Sequence, residues 1–332
     1  MLDFRLHPQE DQGLPDAGEL FDVIIIGGGP AGLSAGLYAS RNGLNVLLLE
    51  GKTIGGQAAA TERIENWPGC HEGTGAESMG FLRGQAEGFG LKVAMAAVTD
   101  VVLHGPVKRV NTGKGTFQAK TVIVASGAKP IPLGVPGEPE FQSHGVSHCA
   151  TCDAPLFRHK TVAVVGGGES ALKEGNFIAR FADKVYIIHR REVFRAARAT
   201  QDRIRANPKV EFILDTFVEG ILGDSHVSGL QLRNHKTGER FELEVDGVFI
   251  YVGMLPNLDF LKDQLRLSHA GYIHTDAHMA TSVSGVFAAG DVRETPLRQV
   301  VTATADGAIA AESADKYIQE LNTEAPVWKV SA

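Results

Sequence analysis

Cysteine is scarce in this 332-residue chain, which contains three. Small secreted domains that depend on disulfides use many more, in even numbers, so a disulfide framework is excluded. Two of the three, Cys149 and Cys152, stand in the stretch SHCATCDAP (147–155) with two residues between them. Such a C-x-x-C pair is typical of a metal site or of a redox-active dithiol.

Long apolar runs and an excess of positive charge are also missing. No uncharged apolar run approaches the ~18 residues that a membrane span requires. The first twenty residues have neither the basic nor the apolar region of a signal peptide. The formal net charge is −7, whereas a nucleic-acid partner demands a basic face. We therefore expect a cytoplasmic protein that binds small molecules and proteins, and neither nucleic acid nor membrane.

The segment FDVIIIGGGPAGLSAGLYASRNGLNVLLLE (21–50) predicts strand, glycine turn, helix and strand. Gly27, Gly29 and Gly32 form G-x-G-x-x-G directly after the β-branched run. These glycines allow the turn, the approach of a pyrophosphate and the packing of helix on strand. Glu50 ends the second strand, where a carboxylate accepts hydrogen bonds from ribose hydroxyls.

The same pattern recurs in KTVAVVGGGESALKEGNFIARFADKVYIIHRREVFRA (160–196), with Gly166, Gly168 and Ala171 as its fingerprint. The acid at the end of the second strand is replaced by a basic cluster, Arg190, Arg191 and Arg195. Guanidinium groups bind a 2′-phosphate through charge-assisted hydrogen bonds, and an acid would repel it. The second unit therefore indicates NADPH, and the first fits the ADP half of FAD.

A third segment, SGVFAAGDVRE (284–294), predicts a short buried strand that ends at Gly290-Asp291. We expect an amphipathic helix from Arg298 to Leu321 after it, and Asp291 within reach of a flavin's ribityl hydroxyls. The chain then divides into a lead-in (1–20), a discontinuous FAD-binding domain (21–129 and 255–332) and an inserted NADPH-binding domain (130–254) that carries the C-x-x-C.

With these pieces in this order, residues 21–322 resemble the low-molecular-weight, bacterial-type thioredoxin reductases. These belong to the FAD- and NADPH-dependent pyridine nucleotide-disulfide oxidoreductases. The shared motifs, in the family's order, are GGGPAG (27–32), GGQ (55–57), IENWPG (64–69), CATCD (149–153), GGGESA (166–171), HRREVFRA (189–196) and GVFAAGD (285–291).

The resemblance implies an α/β protein with two Rossmann-like, three-layer dinucleotide-binding domains, the NADPH domain inserted in the FAD domain. It also implies a homodimeric NADPH-dependent thioredoxin-disulfide reductase. Hydride would pass from NADPH to FAD and on to the Cys149–Cys152 disulfide, and the resulting dithiol would reduce thioredoxin. By the same resemblance Cys152 faces the flavin, Cys149 attacks the partner and Asp153 has an acid–base role.

The motifs also imply a set of site residues. The catalytic residues are Cys149, Cys152 and Asp153. The FAD-binding residues are Gly27, Gly29, Pro30, Ala31, Gly32, Glu50, Gly56, Gln57, Asn66, Ala125, Gly127, Gly290, Asp291, Arg298 and Gln299. The NADPH-binding residues are Gly166, Gly168, Glu169, Ser170, Ala171, His189, Arg190, Arg191 and Arg195. We expect no metal ligands.

Different functions also fit parts of this pattern. A zinc site would need four ligands, and the nearby histidines show no H-x₃₋₅-H pair after the cysteines. A flavin-dependent dithiol oxidase would not need the arginine cluster. A ferredoxin-linked protein that resembles thioredoxin reductase would fit the same fold, as would a redox-sensing nucleotide-binding module. Lys173 and Gly175 depart from the family's pattern near the nicotinamide site, and Cys70 is expected to be a free thiol.

Overall fold

The computed structural model describes residues 18–61, 64, 66–69 and 73–324. Cys70 and most of the predicted lead-in lie outside the described residues. The chain divides into two compact units. Unit 1 contains the described residues up to Ala128 and those from Pro256 onward, and unit 2 contains Lys129–Leu255. These divisions fall one residue from each of the boundaries that the sequence predicts.

The described helices and strands follow the chain in this order. The first part contains β1 (Leu20–Ile26), α1 (Pro30–Arg41), β2 (Val46–Glu50), α2 (Gly56–Ala59), α3 (Gly75–Gly88), β3 (Lys92–Met95), β4 (Val98–Val102), β5 (Lys108–Thr112), β6 (Gly115–Val124) and β7 (Ala128–Pro130). The middle part contains β8 (Val146–Ser147), α4 (Ala150–Asp153), β9 (Thr161–Val165), α5 (Glu169–Ile178), β10 (Lys184–Ile188), α6 (Arg198–Arg205), β11 (Val210–Ile213), β12 (Thr216–Gly223), β13 (Val227–Asn234), β14 (Arg240–Glu244) and β15 (Gly247–Ile250). The last part contains β16 (Met254–Pro256), β17 (Val286–Ala288) and α7 (Val300–Glu324).

The main sheet of unit 1 has the strand order β3-β2-β1-β6-β5-β4, with β17 paired to β6. Its central strands are parallel, and β4 and β5 continue it as antiparallel strands. Because side chains alternate along a strand, Val23 and Ile25 face a core shared with α1, α3 and α7. Ile24 and Ile26 face a second core on the other side of the sheet.

The main sheet of unit 2 is parallel, in the order β11-β10-β9-β15-β8. One face packs against α4, α5 and α6 through residues that include Val162 and Val164. The other face packs against the antiparallel sheet β12-β13-β14 through residues that include Ala163 and Val165. The mixed α/β fold that the sequence predicts is therefore confirmed, and the third layer of unit 2 is a β-sheet.

Helix α7 begins at Val300, two residues after the predicted start, and ends at Glu324. The amide of Gln299 donates to the Thr302 hydroxyl (3.2 Å), so the chain enters the helix through a side-chain hydrogen bond. Helix α7 packs closely on α1, where Ser34 Oγ donates to the Thr304 carbonyl (2.7 Å). Within the part of the chain that the structure describes, none of the helices combines the length and apolar character that a bilayer crossing requires.

Two helical glycines give a matched test of backbone packing. A Cβ at Gly32, in α1, would overlap the Gly27 carbonyl oxygen, whereas a Cβ at Gly84, in α3, would meet no atom within 4 Å. We expect Gly32→Ala to lower the free energy of unfolding by ~1–3 kcal/mol, because the clash is with backbone. Gly84→Ala should raise it by ~0.5–1 kcal/mol, since alanine favours a helix. Urea denaturation measures both, and equal effects of the two variants would contradict this packing.

Candidate active site

The glycine loop of unit 1 brings backbone into contact with backbone. Gly27 has a φ of +109°, and a Cβ there would overlap the Ala125 carbonyl. Gly29 is the N-cap of α1, with no side-chain cap, and a Cβ there would meet nothing within 4 Å. Pro30 and Ala31 form the first turn of this helix. Amide groups at the helix start can therefore face an anion, which fits a pyrophosphate.

Glu50 lies at the end of β2 and holds the glycine loop. Its Oε2 accepts a hydrogen bond from the Gly28 amide, and its Oε1 accepts one from the Lys52 amide, both at 2.7 Å. A carboxylate has about four acceptor positions. The two backbone bonds fix the side chain and still leave capacity for ribose hydroxyls.

Several predicted FAD residues make contacts within unit 1. Gln57 Nε2 donates to the Ala128 carbonyl, and Asn66 Nδ2 donates to Gln299 Oε1 (2.9 Å). Gly56 lies in α2 beside Gly29. A Cβ added at Gly56 would lie 3.3 Å from the Gly29 Cα. Gly127 has a φ of +68° and its carbonyl accepts from the Asn257 amide. These contacts place Gly56 beside the glycine loop, join Gln57 to the segment after β6, and join Asn66 to the segment before α7.

The turn that carries Asp291 lies against the start of α1, because a Cβ at Gly290 would be 2.9 Å from the Ala31 Cβ. Asp306, in α7, accepts hydrogen bonds from the Gly290 amide (3.1 Å) and from Arg293 (2.9 Å). The sequence motifs do not single out Asp306, which lies fifteen positions after Asp291 inside a helix. This buried ion pair sets the shape of the turn.

Arg298 and Asp291 have the properties expected of groups that face a bound flavin cofactor. The Arg298 guanidinium lies over the Tyr272 ring (4.5 Å to the centroid), and its Nε is buried without a hydrogen-bond partner among the described residues. Burial raises the pKa of Asp291 to about 6, with a smaller raising effect from Asp306 and a lowering effect from Arg298. An unpartnered buried donor and a buried carboxyl beside the glycine loop are groups that ribityl and phosphate oxygens would satisfy.

The second glycine loop has the same construction in unit 2. Gly166 has a φ of +152°, and a Cβ there would be 2.5 Å from the Tyr251 carbonyl oxygen. Gly168 is the N-cap of α5 without a side-chain cap, and a Cβ there would meet nothing within 4 Å. Ala171 is buried, and Ser170 is exposed in the first turn. This helix start also fits a pyrophosphate.

The basic cluster lies next to this loop. The Arg195 amide donates to the Gly167 carbonyl (2.8 Å), and the His189 ring lies where a Cβ at Gly167 would be. The guanidinium groups of Arg190, Arg191 and Arg195 are exposed and have no carboxylate partner within 4 Å among the described residues. Burial lowers the pKa of His189, a hydrogen bond with the Val193 backbone partly opposes this, and the neighbouring arginines lower the pKa further, which favours the neutral ring at pH 7.

The redox pair begins the short helix α4. Cys149 and Cys152 form a disulfide, with their Cα atoms 5.3 Å apart, and Cys149 is the N-cap. Ser147 Oγ donates to Asp153 Oδ2 (2.6 Å) and accepts from the Cys149 amide (3.1 Å). Ser147 therefore ties Asp153 to the first cysteine. The motifs gave no sign of this link, because Ser147 lies two residues before CATCD.

Tyr251 is a second residue that the motifs did not single out. Its phenol oxygen accepts a hydrogen bond from the Ala150 amide (2.6 Å), at the first turn of α4. Burial, followed by the charge of Glu174, raises the pKa of this phenol, so it stays protonated. Burial also raises the pKa of Glu174. The redox helix is thus held at its first amide by a neutral phenol.

Lys173 and Gly175, the two residues that depart from the family pattern, both lie on α5. Lys173 Nζ pairs with Glu169 Oε1 (3.1 Å), one helical turn away. A Cβ at Gly175 would lie 2.6 Å from Ile187 Cδ1, so the glycine lets the helix lie close to β10. His148 Nδ1 lies 3.3 Å from the Ile250 carbonyl, and burial lowers the pKa of this histidine.

The Asp291 pKa predicts how stability depends on pH. Burial disfavours the charged form, so the carboxyl destabilises the fold progressively as the pH rises from about 4 to about 6. A shift from 3.8 to about 6 corresponds to at most ~3 kcal/mol. We expect the unfolding free energy of the wild-type apoprotein to fall by ~2–3 kcal/mol relative to Asp291→Asn between pH 4 and 7. Urea titrations at each pH measure this, and parallel pH profiles would contradict a raised pKa.

Comparison with known proteins places this arrangement in a family. A model of the pyridine nucleotide-disulphide oxidoreductases matches residues 21–307. A thioredoxin reductase of Peptoclostridium litorale is 46% identical over 312 residues, which cover 92% of this chain and 99% of that protein. One of Treponema pallidum is 45% identical and covers 91% and 98%.

Solved structures agree with the sequence comparison. The crystal structure of thioredoxin reductase from Streptococcus pyogenes is 44% identical, with a TM-score of 0.86, and the match covers 91% of this chain and 99% of that one. The coverage is nearly complete on both sides, so the likeness extends over both units. The chain belongs to the pyridine nucleotide-disulphide oxidoreductase family, and within it to the thioredoxin reductases.

Proposed function

We propose that this enzyme uses NADPH and FAD to reduce the disulfide of a thioredoxin through Cys149 and Cys152. The observation that carries the proposal is the Cys149–Cys152 disulfide at the start of α4, in the same unit as a glycine loop flanked by the arginine cluster. A C-x-x-C pair at a helix start favours a thiolate, which is the reactive species in disulfide exchange. Family membership makes this an oxidoreductase that uses a flavin and a pyridine nucleotide.

Each unit has residues that would hold one nucleotide. In unit 1, the start of α1, Glu50, Asp291 and Arg298 would hold FAD. In unit 2, the start of α5 and the arginine cluster would hold NADPH. When bound, these two groups supply hydride transfer and deliver two electrons to the disulfide. The guanidinium groups would recognise the 2′-phosphate, which NADH lacks.

In the exchange step we assign to the two sulfurs the roles that the family resemblance implies. The Cys149 thiolate attacks one sulfur of the partner's disulfide, so a mixed disulfide forms and the partner's other sulfur leaves as a thiolate. The Cys152 thiolate then attacks the Cys149 sulfur, which restores the Cys149–Cys152 bond and releases the second thiolate of the partner. We assign to Asp153, whose Oδ2 accepts a hydrogen bond from Ser147 Oγ, the exchange of protons with the departing sulfur. The partner gains two electrons and two protons.

The resemblance also favours a homodimer and a cytoplasmic location for this enzyme, and both belong to the proposal. Sedimentation analysis of the purified flavoprotein tests the dimer directly. A sedimentation coefficient that corresponds to a single chain at micromolar concentration would contradict it.

Replacement of either cysteine should separate the two halves of the reaction. Cys149→Ser and Cys152→Ser should each abolish reduction of thioredoxin, because exchange needs both an attacking and a resolving sulfur. Reduction of the flavin by NADPH should continue, since it precedes disulfide chemistry. Stopped-flow absorbance and a thioredoxin assay measure the two activities. Full thioredoxin reduction by either variant would refute the dithiol mechanism.

Removal of two arginines should weaken the use of NADPH selectively. Arg190→Ala combined with Arg195→Ala should raise the KM for NADPH by roughly one to two orders of magnitude, because charge-assisted bonds to the 2′-phosphate are lost. The KM for NADH should stay within about twofold. Arg198→Ala is the matched control, since it removes an exposed arginine that pairs with Asp202. Equal KM values of the wild type for NADH and NADPH would overturn the assignment.

A further inference from the structure

Glu169 is the first residue of α5, directly after the second glycine loop, and its carboxylate is engaged by the protein at both oxygens. Its Oε2 accepts from the Ala197 amide (2.9 Å), and its Oε1 accepts from the Thr200 hydroxyl (2.7 Å). Lys173 Nζ lies 3.1 Å from Oε1. The sequence resemblance places Glu169 among the NADPH-binding residues, but these contacts aim its side chain at the start of α6.

The segment that Glu169 holds is the one that carries the arginine cluster. Residues 189–197 connect β10 to α6, and we call them the arginine loop. Its later part is fixed twice, by the bond from the Arg195 amide to the Gly167 carbonyl and by the bond from the Ala197 amide to Glu169. On its outer side, Glu192 pairs with Lys236 (2.7 Å). Hydrogen bonds therefore fix the arginine loop to the second glycine loop and to the start of α5.

Glu169 also binds the start of α6. Ala197, the N-cap of α6, has no side chain that could accept from the first turn. Glu169 reaches across from α5 and accepts from the Ala197 amide and from Thr200 in that turn. Without it, these two donors would lose the side-chain acceptor that they share among the described residues. These bonds therefore fix the start of α6 to the start of α5.

The negative charge of Glu169 is paired with Lys173 at a place where a free carboxylate would oppose a nucleotide. A free carboxylate beside a pyrophosphate site would repel the phosphates. Hydrogen bonds from Thr200 and Ala197, followed by Lys173, lower the pKa of Glu169 to about 2, so it is ionised at every pH at which the enzyme works. These contacts, which we call the Glu169 latch, therefore do not depend on pH in the working range.

We infer that Glu169 is a positioning residue that holds the arginine loop ready for a 2′-phosphate, and so contributes to the choice of NADPH over NADH without touching either nucleotide. This inference rests on the proposed function, because it assumes that the arginine loop binds the 2′-phosphate. If a loop adopts its binding conformation only part of the time, the apparent affinity is the intrinsic affinity multiplied by that fraction. Loss of the Glu169 latch should thus weaken binding of the 2′-phosphate and leave other contacts unchanged.

Calorimetry on the purified flavoprotein can measure this with 2′,5′-ADP as the probe and 5′-ADP as its counterpart without a 2′-phosphate. Glu169→Ala should raise the Kd for 2′,5′-ADP by roughly five- to thirtyfold through the lost preorganisation, with 5′-ADP changed less than about twofold. Glu169→Gln keeps one acceptor oxygen and should give a smaller increase, as should Thr200→Val. Asp202→Asn removes the same charge from the exposed face of α6 and should change neither Kd.

Two results would overturn the inference. If Glu169→Ala left the Kd for 2′,5′-ADP unchanged, the Glu169 latch would have no role in recognition. If Glu169→Ala lowered the Kd for both probes by the same factor, the wild-type carboxylate would act by repelling the nucleotide phosphates. Hydrogen exchange at the Arg195 and Ala197 amides tests the Glu169 latch without any nucleotide. Protection of these amides from exchange should fall in Glu169→Ala and persist in Asp202→Asn. Should wild-type enzyme fail to prefer 2′,5′-ADP, the NADPH assignment fails, and the exchange result still decides whether the Glu169 latch exists.

Discussion

Contact of backbone on backbone at the two glycine loops is the constraint on which the rest of this structure depends. Gly27 lies on Ala125 and Gly166 lies on Tyr251, at distances that no side chain would permit. Both contacts tie a turn to the carboxyl end of a neighbouring parallel strand. As a result, the amides at the starts of α1 and α5 face outward from the sheet edge, where dinucleotides bind in folds of this class.

Polar groups around each loop then fix its neighbours. Glu50 in unit 1 and Glu169 in unit 2 both accept backbone hydrogen bonds, yet they do different things. Glu50 holds its own glycine loop, whereas Glu169 holds the segment that follows the next strand. The same principle applies to Ser147 and Tyr251, which hold the redox helix by its first amides. In each case a side chain satisfies a backbone donor that its helix or turn leaves without a partner.

The sequence predicted the fold class and the family, and it supplied the candidate site residues, because all of these depend on local signals. Glycine spacing, β-branched runs and a C-x-x-C pair are all visible in short windows. Asp306, Ser147 and Tyr251 were missed because each acts through tertiary contacts, and an aspartate inside a helix or a tyrosine after a strand carries no signal of its partner. The direction of the Glu169 side chain could not be predicted for the same reason, since it depends on where α6 begins.

In the proposed reaction, electrons from NADPH pass through the Cys149–Cys152 disulfide to a thioredoxin. Its most direct test is to follow that disulfide by mass spectrometry after rapid alkylation, in anaerobic enzyme mixed first with NADPH and then with oxidised thioredoxin. NADPH should convert the pair into two alkylated thiols, and thioredoxin should restore the disulfide in step with its own reduction. A disulfide that persists under excess NADPH while the flavin is bleached would contradict it.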